Sequence, residues 1–274
     1  MAIEPAAAPG PFDAYAPREI AARVEAFGMT KARLPLLSLL MLGLLAGAYI
    51  GLGALMFTLV AADAQLGFAA GRLLGGLAFS LGMLIVTIAG AELFTGNNLL
   101  AMAWADGQLR TGELLRHWAI VCAANAAGAA GLAVLVYASG QAELNGAAVG
   151  RAAVRIALAK AELPPAEAFF RGVLCNLLVC MAVWMSQAGR SVVDKAVAVV
   201  FPITAFVAAG FEHSIANMYF FPLAWLLGAP LDVAAALRNL ALVIAGNLVG
   251  GSVLVALVYH VIYRRQAVRS RDAA

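Results

Sequence analysis

Residues 210–218 read Gly-Phe-Glu-His-Ser-Ile-Ala-Asn-Met, so that a carboxylate, an imidazole, a hydroxyl and an amide stand together as Glu212, His213, Ser214 and Asn217. The sequence on both sides is apolar. An ionisable group in the middle of a membrane costs about 2.5–3.5 kcal/mol or more, so one that is present there is a candidate for function. An imidazole changes charge near physiological pH. His213 can therefore attract an anion as a cation, or hand a proton to a weak acid and send it on as a neutral species. Metal binding is not expected, because one histidine beside one carboxylate lacks the usual ligand cluster. Hydrolysis is not expected either: Ser214 adjoins His213, but adjacent residues do not make a triad and the chain has no G-x-S-x-G elbow. The chemistry suggested is anion handling with proton exchange, without enzyme activity and without a cofactor.

The elements that hold this stretch are membrane helices. The 274 residues are 64% hydrophobic and 12% charged, with mean hydropathy +0.90, far from the balance of a soluble domain. The lipid bilayer is the expected environment, and nucleic acid is not an expected partner. No apolar stretch precedes residue 34, so the first membrane helix is expected to direct insertion. Cys122, Cys175 and Cys180 all lie in apolar tracts and read as small core residues.

A spanning helix needs about 20 apolar residues. Six runs qualify, at residues 34–62, 73–105, 118–139, 172–187, 196–227 and 239–259. The second and fifth are too long for one straight crossing and carry polar interiors, so both are expected to be interrupted. Ahead of them, Pro17, Ile20, Val24 and Phe27 mark a short amphipathic helix with a stop at Gly28, either an interfacial anchor or a plug over an opening. His117, beside Trp118, and His260, beside Tyr259, read as residues of the interfacial belt. With six spans both termini share a side. The loops on that side carry twelve Lys and Arg residues against six on the other, which predicts cytoplasmic termini. The expected parts are a tail and helix over 1–33, a transmembrane domain over 34–263, and a basic cytoplasmic tail over 264–274.

The two long spans share a pattern. Gly90-Ala91-Glu92 with Asn97 and Gly210-Phe211-Glu212 with Asn217 both read G-x-E-x4-N, and Asn125-x-x-Gly128 is matched by Asn247-x-x-Gly250 at nearly the same offset. Two ordered matches indicate duplicated halves of three spans, about 34–139 and 166–263. An odd number of spans forces the second half to lie inverted, an arrangement that places a substrate path at the midplane between interrupted helices. Glu92 and Glu212 then either hold the backbone freed at the breaks or touch the ligand. Asn125 and Asn247 either bond between helices or line the path.

At these residues the sequence resembles the formate/nitrite transporter family. The carrying blocks are Ala91-Glu92-Leu93-Phe94-Thr95-Gly96-Asn97 and Gly210-Phe211-Glu212-His213-Ser214-Ile215-Ala216-Asn217-Met218. A third runs from Asn176 to Met185, and Ala48-Tyr49-Ile50-Gly51-Leu52-Gly53 adds a fourth. The resemblance implies an all-α, six-helix, aquaporin-like protomer in a homopentamer of the inner membrane, each copy with a pore for formate or nitrite, with protons as possible co-substrates. It implies that His213 is the central pore histidine, Thr95 its partner in the interrupted second helix, and Asn176 and Asn247 the asparagines nearby. Phe79 and Phe206 would form the outer constriction, Leu93, Phe94 and Val179 the inner one, with Met83 where leucine is common. Lys160 would draw anions into the outer vestibule, and Glu92, Glu212, Asn97 and Asn217 would give structural support. The alternatives are a hydrosulfide or other small-anion channel of the same family, and a neutral-solute pore of aquaporin type.

Overall fold

The computed structural model describes residues 13–63 and 65–264. Most of the expected basic tail, residues 265–274, lies outside the described residues, as do residues 1–12 of the N-terminal tail. Among the described residues, six helices are long and apolar enough to cross a membrane: Leu36–Ala61, Phe68–Gly90, Thr111–Ala138, Pro165–Ser186, Val192–Ala209 and Val233–Tyr263.

The chain starts with α1 (Pro17–Ala32), whose first turn is closed by the Glu19 carboxylate accepting the Ala16 N–H at 2.8 Å. Gly28 does not stop this helix, contrary to the sequence expectation. It continues for another turn because Gly28 packs closely against Leu100, a site where a small residue fits and a break is not needed. There follow α2 (Leu36–Ala61) and α3 (Phe68–Ile85), the latter widening into a π turn at Val86–Gly90. The chain then runs non-helically to a 3₁₀ turn at Gly96–Leu100 and the short α4 (Ala101–Ala105). The first half closes with α5 (Thr111–Ala138).

The second half repeats this plan. An amphipathic α6 (Leu144–Ala161), entered through a left-handed turn at Asn145, Gly146 and Ala147, precedes α7 (Pro165–Ser186) and α8 (Val192–Ala209). After the break at residues 210–213 come α9 (Ser214–Leu226) and α10 (Val233–Leu248). A π-helical stretch over Val249–Leu257 then leads into α11 (Val258–Tyr263). The second and fifth spans are interrupted as expected. The sequence reading had no place for α6, because its Arg151, Arg155 and Lys160 hide it from a search for uncharged runs.

Helix α2 packs on α5 and α3, and α7 packs on α10 and α8. The N-x-x-G motifs sit at these crossings: a Cβ on Gly128 would fall on the Leu44 carbonyl, and one on Gly250 on the Val173 carbonyl. Small residues here set the helix separation. Phe201, Leu37, Leu135 and Phe68 are 70%, 70%, 67% and 85% exposed on the flanks, as expected of surfaces facing lipid or another copy.

Helix α1 lies under the bundle with Ile20, Ala21 and Val24 buried against Leu99, Trp184 and Val255. Its Glu25 is also buried. The carboxylate is bonded by the Gln108 side chain and lies 2.5 Å from Arg264 Nε, which reaches Asp106 at 3.5 Å. His260, expected at the interface, instead pairs with that Asp106 at 3.1 Å. Burial pushes the Glu25 carboxyl up from its ordinary 4.5 to about 7, Asp106 adding to the rise and Arg264 opposing it. A carboxyl whose docked-state pKa is raised holds its proton more tightly when docked, so α1 docking is strongest below about 4.5 and weakens as pH rises through 7. Hydrogen exchange of α1 is therefore expected to speed up between pH 6 and 8 more steeply than intrinsic exchange, and Glu25→Gln to remove that excess. An excess retained by Glu25→Gln would show that another group is responsible.

Candidate functional site

Both interrupted helices end on glycines in the left-handed conformation, Gly90 at φ 83° and Gly210 at φ 77°, a region open to glycine without strain. The next N–H groups reach back, Ala91 to Val86 and Phe211 to Phe206, each at 3.0 Å. Glu92 N–H donates to Leu42 O and Glu212 N–H to Arg171 O, both at 3.2 Å. Deeper in each break, one asparagine pairs further backbone groups. Asn125 accepts from Phe94 N–H at 2.8 Å and donates to Glu92 O at 2.9 Å and Gly43 O at 2.7 Å. Asn247 accepts from Ser214 N–H at 3.1 Å and donates to Glu212 O at 3.0 Å and Gly172 O at 2.8 Å. The second clamp is the first one inverted.

The two glutamates do not hold the freed backbone. Their side chains turn to lysine and asparagine: Lys31 Nζ lies 3.2 Å from Glu92 Oε1 and Lys160 Nζ 2.9 Å from Glu212 Oε1. Asn97 donates to Glu92 at 2.7 Å and Asn217 donates to Glu212 at 2.8 Å. The last member differs between halves. Asn217 also donates to Asn239 Oδ1 at 2.8 Å, whereas Asn97 Nδ2 lies 3.0 Å from His117 Nε2. His117 is thus 5% exposed inside a polar cluster and is not a belt residue.

Between the clamps sits His213, 3% exposed. Its Nδ1 accepts the Ala216 N–H at 3.2 Å, capping α9, and its Nε2 lies 3.0 Å from Thr95 Oγ1, so the two breaks meet here. With Nδ1 an acceptor, the neutral ring carries its proton on Nε2 and donates to the Thr95 hydroxyl. The Phe206 ring lies along the imidazole at 5.8 Å and 21°, and Phe79 meets Phe206 edge-on at 5.6 Å. Asn176 Nδ2 bonds the carbonyls of Thr95 at 3.2 Å and Asn247 at 2.7 Å, and Asn98 Oδ1 at 2.7 Å, tying the histidine's partner to the second clamp.

Two cavities flank this centre. The one beside α1, of about 370 Å³, is lined by Lys31, Glu92, Leu93, Asn97 and Met83 among others. The one beside α6, of about 510 Å³, is lined by Phe79, Phe206, His213, Lys160, Arg72 and Arg171 among others. Arg72 donates to the carbonyls of Ala208 at 2.7 Å and Val207 at 3.0 Å, capping the end of α8. The structure therefore brings His213, Thr95, Phe79 and Phe206 together and puts Lys160 at the second cavity. Leu93 and Met83 border the first cavity. Phe94 and Val179 are 2% and 1% exposed in the core and border neither.

The model of the family described as "Formate/nitrite transporter" matches residues 18–261. The chain belongs to the formate/nitrite transporter family. It is similar to the formate channel FocA of Escherichia coli K12, 36% identical over 279 residues that cover 94% of this chain and 98% of the relative. It is also similar to the formate channel FocB of the same strain, at 35% over 90% of this chain and 93% of the relative. Among solved structures, an "FNT family ion channel" matches with TM-score 0.83 and 31% identity, covering 89% of this chain and 98% of its own. A "pentameric formate channel with formate bound" matches with TM-score 0.77 and 35% identity, over 83% and 97%.

Two members of the polar cluster at the first break escaped the sequence reading, Lys31 and His117. A signal for both was present. Lys31-Ala32-Arg33-Leu34-Pro35 recurs as Lys160-Ala161-Glu162-Leu163-Pro164, and Arg116-His117 precedes Asn125 just as Arg238-Asn239 precedes Asn247. Because each clamp asparagine satisfies three backbone groups, Asn125→Leu and Asn247→Leu should each cost roughly 3 kcal/mol or more, at about 1–3 kcal/mol for each buried group left unpaired. Thermal unfolding in detergent should show similar large losses for the two. A wild-type melting profile for either would refute the clamp.

Proposed function

We propose that the chain passes small monovalent weak-acid anions, formate first and nitrite as a relative of like size and charge, through a pore centred on His213. The observation that carries this is the His213 Nε2 contact to Thr95 Oγ1 at 3.0 Å, buried beside Phe79 and Phe206 and between two lysine-bearing cavities. The relatives named as formate channels support it. On this reading the protein is a channel or transporter and not an enzyme, and it works as a homopentamer, as the pentameric solved neighbour suggests. The excess of Lys and Arg on the α1 side supports a cytoplasmic position for that side and both termini.

Lys160 and Lys31 draw the anion into either cavity, each partly neutralised by its glutamate. Going further means shedding water, and a bare ion pays several kcal/mol for that where a neutral acid pays far less. Phe79 and Phe206 on one side and Leu93 on the other make the passage apolar. The Nε2–H of His213 and the Thr95 hydroxyl are the donors that meet the anion inside. Complete proton transfer requires Nδ1 to take up a proton of its own, which sacrifices the bond from Ala216. His213 is thus a fixed hydrogen-bond donor at rest and an acid only after Nδ1 is protonated. An ion that cannot accept a proton at ordinary pH gains nothing from this step.

Flux of labelled formate and of nitrite into proteoliposomes, at external pH 5.5 and 7.5, tests the reading. The wild-type protein is expected to carry both with clear pH dependence, and His213→Phe to lower the rate roughly tenfold or more and change that dependence while the pentamer persists. Unchanged pH dependence in His213→Phe would sink the acid role. Water or glycerol flux insensitive to pH, without anion flux, would replace the whole reading by a neutral pore.

A further inference from the structure

The two halves carry the same lysine, glutamate and asparagine but end differently. In the second half the chain of contacts stops at Asn239, whose Oδ1 accepts from Asn217 and whose Nδ2 donates to Lys160 O at 2.7 Å. An amide has no charge to gain. In the first half the equivalent position, eight residues before the clamp asparagine, is His117. Its Nε2 is 3.0 Å from Asn97 Nδ2 and 3.9 Å from Glu92 Oε2. Asn97 has little freedom: its Oδ1 accepts from Lys31 at 3.0 Å, and its Nδ2 also donates to Glu92. His117 Nε2 must therefore be the acceptor of that contact, which requires an unprotonated nitrogen there.

The charged groups facing His117 are Lys31 from α1, Glu92 from the break and Arg116 on its own helix. Helices α2, α4 and α9 and the turn at Gly96–Leu100 also pack on α5 and contribute no charged residue, and the turn at Gln141–Glu143 brings Glu143 to the opposite end of α5 from His117. Protonation of Nε2 would do two things. It would turn an acceptor into a donor facing the Asn97 amide, breaking that bond and leaving the carboxylate of Glu92 as the nearest acceptor. It would also take the Lys31–Glu92–His117 group from net neutral to one positive charge, next to a cavity lined by Lys31, Glu92 and Asn97.

We propose that His117 is a second titratable residue beside the conduction path, acting through Lys31 and Glu92 to set the positive charge of the α1-side cavity, so that this mouth gathers small oxyanions more strongly as pH on its side falls. His117 is a positioning and charge-setting residue and does not touch the anion. The inference rests on the small-anion reading above and adds a pH response on the α1 side, opposite the α6-side cavity that His213 lines. A charge added at a partly desolvated site acts over several ångströms with little screening.

The test holds pH on the α6 side at 7.5 and steps the α1 side between 7.5 and 5.5 in oriented proteoliposomes, reading the initial rate of formate efflux from the α1 side. The quantity compared is the ratio of the two rates. Wild-type protein is expected to give a ratio roughly three- to ten-fold above that of His117→Asn, which carries the residue the other half uses at the same position. With the pH step moved to the α6 side, the two proteins should give equal ratios. Should His117→Asn fail to assemble, His117→Gln takes its place with the same readout. Equal ratios on the α1 side, or a difference on both sides, would overturn the proposal while leaving anion transport itself intact. Absence of formate flux in the wild-type protein would instead remove the reading on which it rests.

Discussion

Everything at the centre of this protein depends on pairing a few peptide groups that have neither a helix nor water to bond to. Breaking a membrane helix frees backbone donors and acceptors at the depth where leaving them bare is most costly. Asn125 and Asn247 solve the problem twice, each reaching from a neighbouring helix to bond two groups of a break and anchoring them to a helix carbonyl, Gly43 O or Gly172 O. Once the freed backbone is held, side chains at the breaks are available for other work. That is why Thr95 and His213 can face each other and why the two glutamates can turn away to the lysines.

The duplicated plan was legible in the sequence because it is written in residue types with few substitutes. Glycine at Gly90 and Gly210 and asparagine at Asn125 and Asn247 answer to backbone geometry, so they stand out against any apolar background. The six spans were legible for the simpler reason that length and hydropathy define them. Their ends were less so: α5 and α7 begin about seven residues before the apolar runs do, since Arg116 and Arg171, in the second turn of each helix, cut the uncharged runs short.

What the sequence hid was hidden by charge. Lys31, His117 and the helix α6 all looked like surface, because a lysine or histidine near the end of a span is usually there to reach water. In the folded chain Lys31 and His117 instead complete a buried cluster whose other members come from residues 92 and 97. Such a cluster has no signature within any one segment. Only the comparison of one half with the other exposes it, position by position. Gly28 misled for a related reason: a glycine that ends a helix and a glycine that lets a neighbour approach look alike until the neighbour, here Leu100, is known.

The arginine that caps α8 gives the molecule a polarity its backbone lacks. Arg72 stands with Lys160 and Arg171 around one cavity, against Glu212, while the other cavity has Lys31 against Glu92. The scaffold is close to a palindrome, and the fixed charges lining it are not. Three basic side chains and one carboxylate line one cavity, and one of each lines the other, so an anion meets a different electrostatic environment at each end of the same backbone plan.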